Sequence, residues 1–178
     1  MRPISHVVVN LCVDTLWRVR PYARRSPHAP PSSLPTDDNA TDKEELTALR
    51  ALIRRFPYWM QGRALVAKIS LEADDIATAY AEAQALLALA PGGSHYHAVA
   101  LFDLGRCFLR RHDAASALAF LDQAHELRPQ DPRIQEERSA AIVVQGDKVR
   151  ALEILKTIPS TELSAEGKAA LQWLAGDA

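Results

Sequence analysis

Between residues 98 and 131, apolar side chains recur at steps of three and four, the spacing of one face of a helix. Leu101, Leu104 and Phe108 mark a first helix, and Ala117, Leu121 and Ala124 mark a second. Asp113 lies between them, at the place where a carboxylate caps the second helix. Pro129 ends that helix, because its ring clashes with the preceding turn. Gly105 and Ala117 are small where the two helices must cross closely. The pattern predicts a helix–turn–helix unit.

The unit recurs. Over 132–165 the equivalent apolar positions are Ile142, Ala151, Leu155 and Ile158, with Gly146 and Asp147 at the turn. Over 60–93 they are Val66, Ala67, Ala79, Ala83 and Leu86, followed by Pro91. Asp75, Asp113 and Asp147 then fall at one place in all three units. Ser94 to His97 are inserted between the first unit and the second, so the step from Asp75 to Asp113 is longer than the step from Asp113 to Asp147. The inserted segment reads as a polar loop over the junction. Arg63 and Ser70 break the apolar pattern in the first unit, and Gln135, Arg138 and Ser139 break it in the third. The first helix of the third unit is therefore expected to pack less tightly or to offer polar groups to a neighbour.

At the two ends the pattern is partial. Leu46, Leu49 and Leu52 precede Pro57, and Pro57 stands as far before Pro91 as Asp113 stands before Asp147. Residues 42–59 thus read as a half unit, a second helix alone, with Thr41 or Asp42 near its cap. Its first helix comes either from Ser5 to Arg18 or not from this chain. Residues 164–176, with Ala170, Leu171, Trp173 and Leu174, read as a helix closing the exposed end of the array. Upstream, 1–25 is an arm both apolar and basic. Residues 26–41, with Pro27, Pro30, Pro31 and Pro35, read as a linker.

Leu101, Leu104, Gly105, Phe108, Ala117, Leu121, Ala124 and Pro129 are spaced as in the tetratricopeptide pattern. Leu101 stands for its Trp, Phe108 for its Tyr and Leu121 for its Phe. The chain is identified on these residues as resembling the tetratricopeptide repeat family. The resemblance implies an all-α fold: a right-handed superhelical solenoid of helix–turn–helix repeats with a C-terminal capping helix. It also implies a groove lined by the first helices, which takes an extended or helical peptide. Carried onto this sequence, the groove positions are Lys68, Leu71, Val99, Phe102, Asp103, Arg106, Leu109, Arg133 and Glu136, with Ala64 and Ala140 beside them. Lys68, Arg106 and Arg110 would make its centre basic, suiting an acidic partner with an apolar side chain against Phe102. Ala64 and Arg106 stand where the members that hold chaperone C-termini would have Lys and Asn, so that co-chaperone role is not expected. In size and repeat number the chain is also similar to the small tetratricopeptide chaperones of bacterial secretion systems.

Charge modifies this picture at one end only. The net charge is −1, but residues 1–35 carry five arginines against the single acid Asp14. The remainder is mildly acidic, which argues against a nucleic-acid surface. Such an arm could bind a membrane surface or a large complex, or fold back onto the half unit. No apolar run reaches the length of a membrane-spanning helix, and the arm lacks the form of a cleaved signal. A cytoplasmic location is expected, with peripheral membrane association through the arm as its variant.

Candidates for chemistry are few. Cys12 and Cys107 have neither disulfide-framework nor metal spacing, and Cys107 falls within a helix as a buried structural thiol. His95 and His97 flank Tyr96 without further ligands nearby. No glycine-rich phosphate loop follows a strand. The paired acids, such as Asp74–Asp75 and Glu136–Glu137, suit solvated helix starts. No cofactor, metal or catalytic set is expected. The expected function is an adaptor or scaffold holding a protein partner. A secretion-type chaperone, a membrane-surface or large-complex subunit, and a regulatory piece of an enzyme complex stand beside it. The partial end units leave faces on which two copies could associate.

Overall fold

The computed structural model describes residues 42–176. The arm 1–25, the linker 26–41, the helix expected over Ser5 to Arg18, Cys12 and the cap expected at Thr41 lie outside the described residues. Among the described residues there are eight α-helices and no strand. They are α1 (Asp42–Arg55), α2 (Met60–Glu72), α3 (Ile76–Leu89), α4 (His95–Arg110), α5 (Ala114–Leu127), α6 (Pro132–Val144), α7 (Lys148–Thr157) and α8 (Ala165–Gly176).

Within each pair, α2–α3, α4–α5 and α6–α7, the turn is built the same way. Asp74 (φ 60°), His112 (φ 59°) and Gly146 (φ 93°) each take the left-handed conformation that reverses the chain. The aspartate that follows caps the second helix. Asp75 accepts from Thr78 N at 3.1 Å, Asp113 from Ser116 N at 3.0 Å and Asp147 from Arg150 N at 3.0 Å. Each carboxylate satisfies an amide that would otherwise have no helical partner. The insertion at Ser94 to His97 is a helix start, not the loop its polarity suggests. Ser94 Oγ accepts from His97 N at 3.2 Å. Helix α4 consequently runs for 16 residues, against 13 in α2 and in α6.

The crossing of the two helices in a pair is close. A Cβ on Gly105 would stand 2.5 Å from Leu121 Cγ and 3.3 Å from the carbonyl oxygen of Ala117. In the third pair, Ser139 fills the same slot, and its hydroxyl donates to the carbonyl of Ala151 at 3.0 Å. The polar substitutions of that pair do turn toward neighbours. Arg138 reaches Asp122 of α5 at 2.7 Å, and Gln135 Nε2 donates to Pro129 O at 2.7 Å. In the first pair, Arg63 sits in the slot of Leu101 and holds Glu82 of α3 at 2.6 Å.

These crossings produce a core that passes from pair to pair. Leu46, Leu49 and Ile53 of α1 pack on Trp59, Val66 and Ile69. Ala67 and Ala83 pack on Leu104, and Ala117 and Leu121 on Ala141. Ile142, Ala151, Leu155 and Ile158 close on Leu163 and Leu174. Each helix pair buries its apolar face on the next, as a solenoid requires. The C-terminal helix is held by a carboxylate. Glu136 of α6 accepts from Ser164 N at 2.7 Å and from Ser164 Oγ at 2.6 Å, and Ser164 Oγ accepts from Gly167 N at 2.9 Å.

Gly105→Ala is expected to destabilise the fold by about 1–3 kcal/mol through overpacking, read as a lowered thermal midpoint. Ser70→Ala does the opposite. Its hydroxyl is fully buried without a hydrogen-bond partner, so its removal stabilises by about 1 kcal/mol. Glu136→Ala accelerates amide exchange in α8 while leaving α4 and α5 protected; unchanged exchange in α8 would contradict the clamp.

Candidate functional site

The first helices of successive pairs lie against one another, α2 on α4 and α4 on α6, while the second helices stay farther apart. The array therefore curves with α2, α4 and α6 on its inner side. Its middle helix, α4, carries five of the expected positions, Val99, Phe102, Asp103, Arg106 and Leu109. They lie off the stripe of Leu101, Leu104 and Phe108, which faces the core.

Phe102 is half-buried, packed partly on Leu101, Ala124 and Ile134 and partly on Ala117, Leu121 and Ala141. The guanidinium of Arg106 lies 5.6 Å from its ring centroid, within cation–π range. Phe102 is thus less separate from the core than its spacing suggests, so truncating it affects packing as well as surface. Val99 and Leu109 are also half-buried. Leu71 is not on the surface at all. It is fully buried with Ala79 and Cys107, because α2 turns that position onto α3, and so it offers nothing to a partner. Glu136 is committed to Ser164, as described above.

The expected basic centre is offset by acids. Lys68 Nζ is 3.9 Å from Glu72, Arg106 Nε is 3.2 Å from Glu137, Arg110 is 3.3 Å from Asp74 and Arg133 is 2.7 Å from Asp131. Asp103 lies among them at 4% exposure. Burial raises its carboxyl to about 7, against the opposing pull of Arg106, Arg133 and Lys68. Burial likewise raises the Glu137 carboxyl, and Arg106 and Arg110 oppose the shift. In contrast, Asp131 is held below the usual carboxylate range, chiefly by its hydrogen bond from Arg133.

Sequence reasoning missed Glu137. A signal was present, since it follows Asp103 by the same step that separates Asp113 from Asp147, and so holds the same repeat position. It missed the counter-ions Glu72 and Asp131 as well, which follow or precede their cations on the same segment.

The one cysteine among the described residues is withdrawn from reaction. Cys107 is buried, and its thiol is pushed up to about 11, first by burial and then by Asp103. His95 and His97 belong to the first turn of α4, and burial lowers the His95 imidazole, with Arg128 and Arg133 adding to the effect. Among the described residues, no group of three His, Cys, Asp or Glu could hold a metal. No described helix is long and apolar enough to cross a membrane.

No family model matches the sequence, and no curated protein matches it. A solved structure is similar: TTC0263, a thermophilic TPR protein of Thermus thermophilus. The TM-score is 0.67 at 14% identity, over 97% of this chain and 82% of that chain. The likeness is one of fold, and the described residues form an all-helical solenoid like that TPR protein.

Proposed function

We propose that this chain is a non-enzymatic protein-interaction module, an adaptor or scaffold that holds a peptide segment of a protein partner on the inner face of α2, α4 and α6. One observation supports this reading: Phe102 is half-exposed with the Arg106 guanidinium over its ring, on a helix that also leaves Val99 and Leu109 half-exposed. An aromatic ring beneath a guanidinium gives an apolar partner side chain a place to bury and a charged rim to orient it. Arg106 is itself tied to Glu137, so a partner carboxylate must compete for it. Affinity is thus expected to come more from apolar contact than from long-range attraction.

The test compares four proteins by affinity capture and by thermal unfolding: wild type, Phe102→Leu, Arg106→Glu and Leu104→Ala. Leu104 is 2% exposed, and its truncation costs about 2–5 kcal/mol. Phe102→Leu keeps most of the apolar volume and costs less stability. The expected outcome is a partner held by wild type and lost by folded Phe102→Leu and Arg106→Glu. A partner retained by both variants but lost on deleting residues 1–35 would move function to the arm.

A further inference from the structure

The last helix of an array needs a polar outer side, because no further unit covers it. Helix α8 departs from this. Gly167 and Leu174 are its buried residues, with Ala170 and Leu171 half-buried beside them. By helical spacing the side turned away from them carries Ala165, Ala169, Gln172 and Gly176, all exposed and none charged. Trp173, at the edge of that side, is 50% exposed. At the same end of the array, the α6–α7 turn leaves Val144 and Val149 exposed at 57% and 70%. In the other two units the position of Val144 is held by Glu72 and Arg110, and that of Val149 by Ala77 and Ala115. Three of the five large apolar residues that stand exposed among the described residues therefore belong to this end. Such a concentration marks an interaction surface.

Two charges frame the surface. Lys148 Nζ lies 4.5 Å from the Trp173 ring centroid, within cation–π range. Glu166, on the same flank of α8, stands exposed about two turns before Trp173. It has no ion-pair partner among the described residues. The flank thus holds a cation at one end and a carboxylate at the other. An antiparallel pair of α8 helices, related by a two-fold axis midway between residues 169 and 170, sets residue 166 of one copy level with residue 173 of the other. Each Glu166 then meets the Lys148 that lies over Trp173 of the other copy. The surface is its own complement, as a two-fold contact requires. An anionic membrane or an acidic partner would suit Lys148 but repel Glu166. Lys168 lies on the opposite flank, where its stem carries its charge to water.

We propose that two copies of this chain associate end to end through α8, as antiparallel helices that cross at Ala169, bury Trp173 and pair Glu166 of each copy with Lys148 of the other. A helix of 12 residues is about 18 Å long. The contact is therefore smaller than that of a stable complex, and the dimer is weak and concentration-dependent. It presents every other surface of the chain twice in one body, so a partner with two binding segments is held by both copies at once. The contact forms whether or not a peptide is bound.

Sedimentation equilibrium of the full chain over a wide range of concentration tests this. Wild type should pass from monomer to dimer, with no larger species. Ala169→Glu places a charge at the centre of the exposed side and should stay monomeric with an unchanged thermal midpoint. Lys148→Glu and Glu166→Lys should each weaken the dimer by about tenfold, because two ion pairs become two like-charge contacts. Both substitutions together restore opposite charges, and the dimer should return to within about threefold of wild type. A chain monomeric at every concentration, a dimer that tolerates Ala169→Glu, or a double variant no tighter than the single ones overturns the proposal. So does a monomeric chain that sediments with anionic vesicles through Trp173, which would give the surface to a membrane. Should Ala169→Glu fail to fold, disulfide trapping decides. In a Cys12→Ser background, Ala169→Cys should oxidise to a linked dimer, while Glu162→Cys, ahead of the helix, should not. Equal trapping at the two positions overturns the antiparallel pairing.

Discussion

A side chain on Gly105 would run into Leu121 at 2.5 Å, and this close approach of two helices is the constraint on which the architecture depends. A wider crossing would open a gap between α4 and α5 that the alanines at 114, 117 and 124 could not fill, all of them 7% exposed or less. Interiors are packed too densely to leave such a gap without cost. Because the pair closes at one small slot, its remaining apolar surface points along the array and must be covered by the next pair. Ala67 with Ala79 and Ser139 with Ala151 occupy the same crossing in the neighbouring pairs. Repetition of one local contact thus yields the curvature that puts α2, α4 and α6 on the inner side.

Departures from the apolar pattern leave this frame intact because each is given a partner. Ser139 is larger than glycine, but its hydroxyl bonds to the very carbonyl it approaches. Arg63 and Arg138 replace apolar residues, yet both side chains are buried to the same degree, at 15% exposure, and each holds an acid on an adjoining second helix. A buried cation left unpaired would be strongly destabilising, so these pairs specify the orientation of the helices more than they add stability. Ser70 is the exception, with a buried hydroxyl that bonds to nothing.

Much of this was legible in the residues because period and register are local properties. Leu101, Leu104 and Phe108 reveal a helix and its buried side, and the aspartates at 75, 113 and 147 reveal the turns. What escaped depended on relations across helices. Leu71 sits in the register of an inner-face position yet is fully buried, since its exposure is decided by α3 and Cys107 rather than by its own helix. Glu136 has the register of an expected groove position, but Ser164, far along the chain, claims both its oxygens. The polar run at 94–97 resembles a loop because histidine and serine are only middling helix formers, and the hydroxyl of Ser94 in fact starts a helix.

The same distinction explains the electrostatics of the inner face. Counting cations along the first helices gives a basic groove, whereas pairing them in space gives a balanced one with a carboxylate buried at its centre. A groove with free cations would attract acidic segments indiscriminately and strongly at low salt. One in which every cation already holds an acid responds only to a ligand able to displace that acid, and displacement is governed by how easily the acid can be neutralised. Glu72 lies toward solvent at 41% exposure, whereas the Asp131 side chain keeps 14% and is held by Arg133. Asp103 is withdrawn farther still, at 4% exposure. The burial that packs α4 between α2 and α6 thus also sets the charge of this region, because it raises the Asp103 carboxyl to about 7.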